Sequence, residues 1–184
     1  MAASQHSPGR HYGKLLKSCQ FSHITLTESR YEANSVLPVH FHDNPYFSFS
    51  LKGQFIDKLE GREFISGNNN LLFHSPHTEH TCRFLDETVH CFFIEFDKKW
   101  IEPMVGNALL ISQSKEHKGM KLLKLVSGIY QAFLTRDFYA GLISEGLTLQ
   151  LIAETSCQPA YSKKAPGLVK RILDRLKEEK NASE

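Results

Sequence analysis

The 184-residue sequence lacks most of the features that place a chain quickly. No apolar run reaches the roughly 18–20 residues that a membrane span needs. The N-terminus, MAASQHSPGRHYGK, has no apolar stretch of the kind a secretory signal carries. Together these absences lead to the expectation of a cytoplasmic protein with no membrane partner. Charge of one sign is scarce, with 22 Lys and Arg against 20 Asp and Glu and a net charge of +2. That is too little for a nucleic-acid footprint spread over the whole chain. Cysteine is limited to Cys19, Cys82, Cys91 and Cys157, with no CxxC spacing. In a reducing compartment these read as free thiols, with Cys82 and Cys91 as small buried residues. There is no P-loop and no GxGxxG. The serines beside histidines, Ser22-His23 and His74-Ser75, lack a GxSxG elbow. No nucleophile–base constellation stands out, and the expectation is that the chain is not an enzyme.

What is present divides into distinct parts. Hydrophobic residues make up 41% and charged residues 23%, a soluble globular balance. Residues 1–18 are polar and read as a loose arm. From residue 19 onward short strand-like stretches follow one another: FSHITLT, FSFSL (47–51), REFIS (62–66), LLFH (71–74), HTCRF (80–84) and VHCFFIEF (89–96). Turn-forming HDNP, KG, EG, SGNNN, SPHTE and LDET separate them. This spacing points to an antiparallel sandwich or barrel over 19–103.

Beyond the strands the period changes. Met120, Leu123, Val126, Tyr130 and Phe133 recur every three or four residues, and Phe138, Leu142, Leu149 and Ile152 keep to one helical face beside a row of Ile143, Leu147 and Leu151. Two amphipathic helices within 104–157, joined near Thr135-Arg136-Asp137, form an antiparallel hairpin. QPAYSKKAPG then reads as a linker. Leu168, Val169, Ile172, Leu173 and Leu176 mark one face of a further helix within 158–184.

The chemistry-bearing residues cluster in the strand region. His40 and His42 stand one residue apart in PVHFHDNPYFSFSLKG, and period-2 spacing puts both on one strand face. Tyr46 lies four residues beyond His42 and Gly53 seven further, while SPHTEH (75–80) ends on His80. This order resembles the motifs of cupins, small double-sheet barrels that often hold a metal. The family's carboxylate position is Tyr46 here. No cofactor is assigned firmly. The alternative is a divalent transition metal (zinc, nickel or iron) on His40, His42 and His80 with water in fourth place. The other reading makes the histidines wall residues of a small-molecule pocket. Parity extends that pocket to His40, His42, Tyr46, Ser48, His80, Cys82, Cys91 and Phe93, with Phe47, Phe49 and Leu51 on the opposite face. His74 and His77 are assigned to a solvated turn, and His90 is expected to face away from the lumen.

The order of the parts carries a wider resemblance. FSLKGQFIDKLEGREFISGNNNLLFHSPHTEH (49–80), FFIEFDKKWIEPMV (92–105) and GLVKRILDRLKEE (167–179) resemble the sensor half of AraC-type transcriptional regulators. The resemblance implies a mainly β fold with a helical C-terminal part: a cupin double-stranded β-helix (jelly-roll) barrel, then a helical dimerisation hairpin. It implies a small-molecule effector in the barrel, touching the strands of His80, Cys82, Cys91 and Phe93. It also implies a homodimer, with Leu123, Val126, Tyr130, Leu142 and Leu149 as candidate packing positions. DNA would be reached only through a C-terminal domain missing from this chain, of which 158–184 supplies the linker and first helix. The alternative is a stand-alone metal-dependent cupin enzyme, a dioxygenase or isomerase, using His40, His42 and His80.

Overall fold

A computed structural model describes residues 3–67, 69–105, 113–135 and 137–156. Cys157, the linker and the final helix expected over 158–184 lie outside the described residues. The chain forms two compact units, Met1–Leu151 and Ile152–Glu184, and of the second only the helix end at 152–156 is described.

Eleven strands are described, arranged in two sheets. The smaller sheet runs β1 (Ser4–His6), β4 (His40–His42), β9 (His80–Phe84), β6 (Phe55–Leu59), β7 (Arg62–Ser66). The larger runs β11 (Lys115–Lys118), β8 (Asn70–His74), β5 (Tyr46–Lys52), β10 (Val89–Phe96), β3 (Ile24–Tyr31), β2 (Lys14–Gln20). Except for the parallel β1–β4 pair, every pairing is antiparallel. This is the mainly β jelly roll with a helical C-terminal part that the strand spacing and the cupin-like motifs imply.

Local chemistry sets the joints. The β6–β7 hairpin turns on Glu60 and Gly61, with φ of 52° and 74°. Two consecutive positive φ values make the tight turn whose twist matches the flanking strands, and glycine adopts that conformation without a Cβ clash. Along β10 the pleat divides the side chains. Val89, Cys91 and Phe93 join Tyr31, Tyr46, Phe55, Cys82 and Phe84 in an apolar cluster between the sheets. Phe92 points the other way, to Tyr130 and Phe133 with ring centroids 5.0 and 5.3 Å away.

Three helices are described: α1 (Lys98–Val105), α2 (Met120–Thr135) and α3 (Ala140–Ser156). In α2, Leu122, Leu125, Val126, Ile129, Ala132 and Phe133 are buried, the face expected of a helix laid on a sheet. Lys17 of β2 sits over the Phe133 ring at 4.6 Å, and Tyr130 donates to Glu28 of β3 at 3.2 Å. At Gly128 the two helices meet closely, for an added Cβ would lie 2.9 Å from Leu147 Cδ1.

Three sequence expectations change here. Residues 4–6 and 14–20 of the supposed loose arm are strands, tied by the β1–β4 and β2–β3 ladders. Backbone hydrogen bonding orders polar residues that carry no apolar period. The region after residue 103 is not purely helical, because β11 returns to pair with β8. Val126 is not free for a dimer face: it is 1% exposed, covered within its own protomer, and Tyr130 is half-buried on Glu28. Leu123 and Leu149 are half-buried, whereas Leu142 is 73% exposed. Phe138, 93% exposed, Tyr139 and Ile143 are also exposed near it in sequence.

A histidine-lined lumen as candidate functional site

The sheets enclose a lumen whose wall is built by strand parity. His40 and His42 of β4 are both buried, with Phe41 between them half-buried on the other face. His80 of β9 is the register partner of His40. Tyr46 and Ser48 of β5 oppose His74 and Leu72 of β8, and residues opposed across an antiparallel pair share a face. Asp57 of β6 opposes Cys82 of β9. All eight residues expected to line a pocket (His40, His42, Tyr46, Ser48, His80, Cys82, Cys91 and Phe93) line this one. His90 lies 3.8 Å from Glu28 and is not among the lining residues.

Eight further residues line it, and three of these, His74, Asp57 and His11, bear most on its chemistry. His74 is not on a solvated turn: it ends β8, is buried, and its Nε2 lies 3.1 Å from Ser48 Oγ. Its ring stacks on Tyr46 at 4.2 Å. The even parity of LLFH with His74 contained that signal, and the adjacent Ser-Pro masked it. His77 is exposed, as expected. Asp57 is the lone acid in the apolar FIDKL, flanked at period 2 by Phe55 and Leu59, and is buried with them. His11 has no such signal. It enters from the segment between β1 and β2 and stacks on Phe93 with centroids 3.8 Å apart and planes 7° apart. It also faces His42 at 4.7 Å.

Hydrogen bonds fix several of the rings. His40 Nδ1–H donates to the Pro38 carbonyl at 2.8 Å, and His80 Nδ1–H to that of Thr78 at 3.2 Å. Both Nε2 atoms therefore keep their lone pairs. That of His80 accepts from the Tyr46 hydroxyl at 3.1 Å. His42 Nδ1, His11 Nε2, His74 Nδ1 and Asp57 Oδ1 are buried without a hydrogen-bond partner. Four such atoms around one lumen are unusual, because buried polar atoms in native proteins are nearly always paired.

Burial dominates the electrostatics. Desolvation lowers His40 to about 4, against the opposing bond to Pro38, and His80 to about 3. It holds His11, His42 and His74 well below the usual imidazole value, with neighbouring imidazoles adding to the effect. Burial lifts Asp57 to about 8, with the Cys82 hydrogen bond opposing, and pushes the Cys82 and Cys91 thiols up. His74 Nε2 and Asp57 Oδ2 lie 3.4 Å apart, yet both groups are pushed toward neutrality, so theirs is a neutral contact and not an ion pair. Glu95 is lifted to about 7 by burial, against hydrogen bonds from the Gly9 N–H and the Asn44 amide. It anchors the segment that carries His11. No Lys or Arg lines the lumen.

The donor atoms of His40, His42 and His80 lie within 4.8 Å of one another. A backbone carbonyl on Nδ1 leaves Nε2 of His40 and of His80 to ligate a zinc-type centre, with the Tyr46 hydroxyl displaced from His80. These residues therefore fit a transition metal. The remaining space is about 20 Å³, room for one water or one ion.

Among solved structures, the DMSP lyase DddQ from Ruegeria pomeroyi DSS-3 matches at 19% identity and a TM-score of 0.39. The match covers 41% of this chain and 39% of the lyase. A Bacillus subtilis oxalate decarboxylase, studied for its Mn(II) centres, matches at 18% identity and a TM-score of 0.37, covering 41% of this chain and 21% of that one. The chain thus spans about two fifths of the lyase and one fifth of the decarboxylase. A search of curated proteins finds no match. The family described as the AraC-like ligand binding domain matches residues 21–152, which take in strands β3 to β11 and almost all of the helical part. The chain belongs to the AraC-like ligand-binding domain family.

Proposed function

We propose that this chain is the effector-sensing and dimerisation part of an AraC-type transcriptional regulator, and that it is not itself an enzyme. A small molecule binds in the barrel, and a cytoplasmic homodimer forms through the helical hairpin. DNA is reached through a further domain. The observation that carries the reading is the lumen: an enclosed wall of neutral imidazoles, a phenol, a hydroxyl and aromatic rings, with four buried polar atoms left unpaired. Ligand pockets combine apolar walls with a few converging polar groups, and this one lies toward the polar end. The space of about 20 Å³ is too small for a metabolite, so the effector must displace the His11 ring from Phe93.

Thermal-shift screening of small metabolites tests the reading, since a ligand that binds only the folded state raises the melting temperature. Tyr46→Phe and His80→Ala should weaken binding of the hit with the fold intact. Wild-type affinity in both variants refutes the pocket assignment. The dimer is tested by analytical ultracentrifugation, where a monomer at high micromolar concentration counts against it.

A second reading has its own observation. His40, His42 and His80 bring their donor atoms within 4.8 Å, with the His40 and His80 tautomers fixed by carbonyls. A metal-dependent cupin enzyme would hold its ion there, and the ion would supply Lewis-acid chemistry. Elemental analysis of protein purified without chelator, beside His42→Ala, decides it. Stoichiometric metal lost in the variant favours the enzyme.

A further inference from the structure

The three-histidine group is not the only donor set in the lumen. Asp57, His80 and Cys82 also bring a carboxylate oxygen, an imidazole nitrogen and a sulfur within 4.8 Å of one another. The ladder enforces this. Asp57 and Cys82 are direct register partners across β6 and β9, and Leu59 pairs with His80. The pleat then places His80, Cys82 and Asp57 on one face. All three are buried.

We propose that Asp57, His80 and Cys82 form a metal seat of their own, beside the histidine group and sharing His80 with it. A tetrahedral ion with bonds of about 2.0–2.3 Å holds its donors roughly 3.3–3.8 Å apart, so small side-chain rotations close this set around one ion. Oxygen, nitrogen and thiolate sulfur together suit a borderline-soft divalent ion such as zinc or cobalt, and suit magnesium or calcium poorly.

Three observations favour an ion here. Asp57 Oδ1 has no partner although the residue is only 1% exposed. No Lys or Arg lines the lumen to answer a carboxylate, and the nearest base is His74, whose Nε2 lies 3.4 Å from the other oxygen. The free space of about 20 Å³ takes one ion but no metabolite. Phe55 and Phe84, 5.1 Å apart, close the lumen on the strand pair below Asp57 and Cys82, giving a dry wall that strengthens ion–ligand attraction. His80 offers one lone pair, at Nε2, because Nδ1–H is engaged by Thr78, and an ion there displaces the Tyr46 hydroxyl that Nε2 accepts from. An ion in this seat therefore denies His80 to the histidine group, and the lumen holds one ion and not two. On binding, the Cys82 thiol and the Asp57 carboxyl both give up their protons to solvent.

The inference stands apart from the effector reading and is tested with cobalt(II) added to the full chain in chelator-free buffer. Thiolate ligation gives a sulfur-to-cobalt charge-transfer band in the near ultraviolet, alongside the visible ligand-field bands. The expected result is one equivalent of cobalt with the charge-transfer band in the wild type. Cys82→Ser loses the band, while Cys91→Ser and His40→Ala keep it. Asp57→Asn weakens cobalt binding by more than about tenfold, the loss that even an outer partner of a metal site can cause. The wild-type spectrum requires no variant to fold, and circular dichroism checks those that are used. Ligand-field bands without a charge-transfer band, lost in His40→Ala and untouched by Cys82→Ser, would place the ion on the three histidines and overturn the proposal. So would the absence of cobalt binding at millimolar concentration. Neither outcome bears on whether an organic effector binds.

Discussion

Acidification should unfold this protein well before its carboxylates would ordinarily titrate, and the lumen supplies the magnitude. Five imidazoles, those of His11, His40, His42, His74 and His80, are held below their ordinary value by burial. A base whose folded pKa is depressed contributes stability that is present above its unfolded pKa, near 6.5, and is lost as pH falls through that value. Between pH 7.5 and 5 each of the five loses about 2 kcal/mol, because the unfolded chain takes up a proton that the folded one refuses. Asp57, lifted to about 8, and Glu95, lifted to about 7, act in the opposite sense. The folded state binds their protons first, so over the same interval they return about 3 and about 2 kcal/mol.

The net loss is about 5 kcal/mol, against a total stability of roughly 5–15 kcal/mol for an ordinary domain. His117 on β11, lowered by burial to about 4, adds to the loss. Near pH 5.5 unfolding should take up about three protons from the lumen groups. The assay is thermal or urea unfolding followed by circular dichroism across pH 7.5 to 5, with chelator present so that no cation holds the imidazoles. The melting temperature should fall by about 10–20 °C over that range. A melting temperature that is flat or rises on acidification would refute the argument, because it would mean that the imidazoles reach water in the folded state.

Glu95→Gln should make the acid loss steeper, since it removes a group that gains its proton on folding; the drop from pH 7.5 to 5 grows by about 2 kcal/mol, measured by the same unfolding curves. Phe92→Ala should lower stability by about 3–5 kcal/mol, because its fully buried ring joins the large sheet to Tyr130 and Phe133 of α2. Leu142→Glu and Phe138→Ser should leave the stability of the isolated protomer within about 0.5 kcal/mol of wild type, since both side chains are exposed. If the hairpin is the dimer surface, the same changes shift sedimentation toward monomer, and an unchanged dimer would move the interface elsewhere.

Where side chains alternate, the fold could be read from the sequence. REFIS, HTCRF and VHCFFIEF coincide with β7, β9 and β10 to the residue; burial alternates at period 2 in β9, whereas β10 is covered on both faces and turn residues bound β7. The helices α2 and α3 begin two or three residues from where the 3.6 period suggests, and the difference lies in polar ends that periodicity does not see. What escaped was structure made by backbone pairing alone. β1 and β2 are largely exposed, carry no apolar rhythm, and exist because β4 and β3 offer them a ladder. The same distinction governs the site. All eight residues placed by parity do line the lumen, since parity is a property of single strands. His11 enters by a different route. It is positioned by Glu95, 84 residues further along the chain, which accepts the Gly9 N–H at 2.8 Å. That contact also explains why an acid stands in the lumen-facing register of β10 at all. Two positions beyond Phe93, Glu95 points to the same side of the strand as the ring on which His11 stacks, so one strand face supplies both the bed for the imidazole and the anchor for the segment that delivers it.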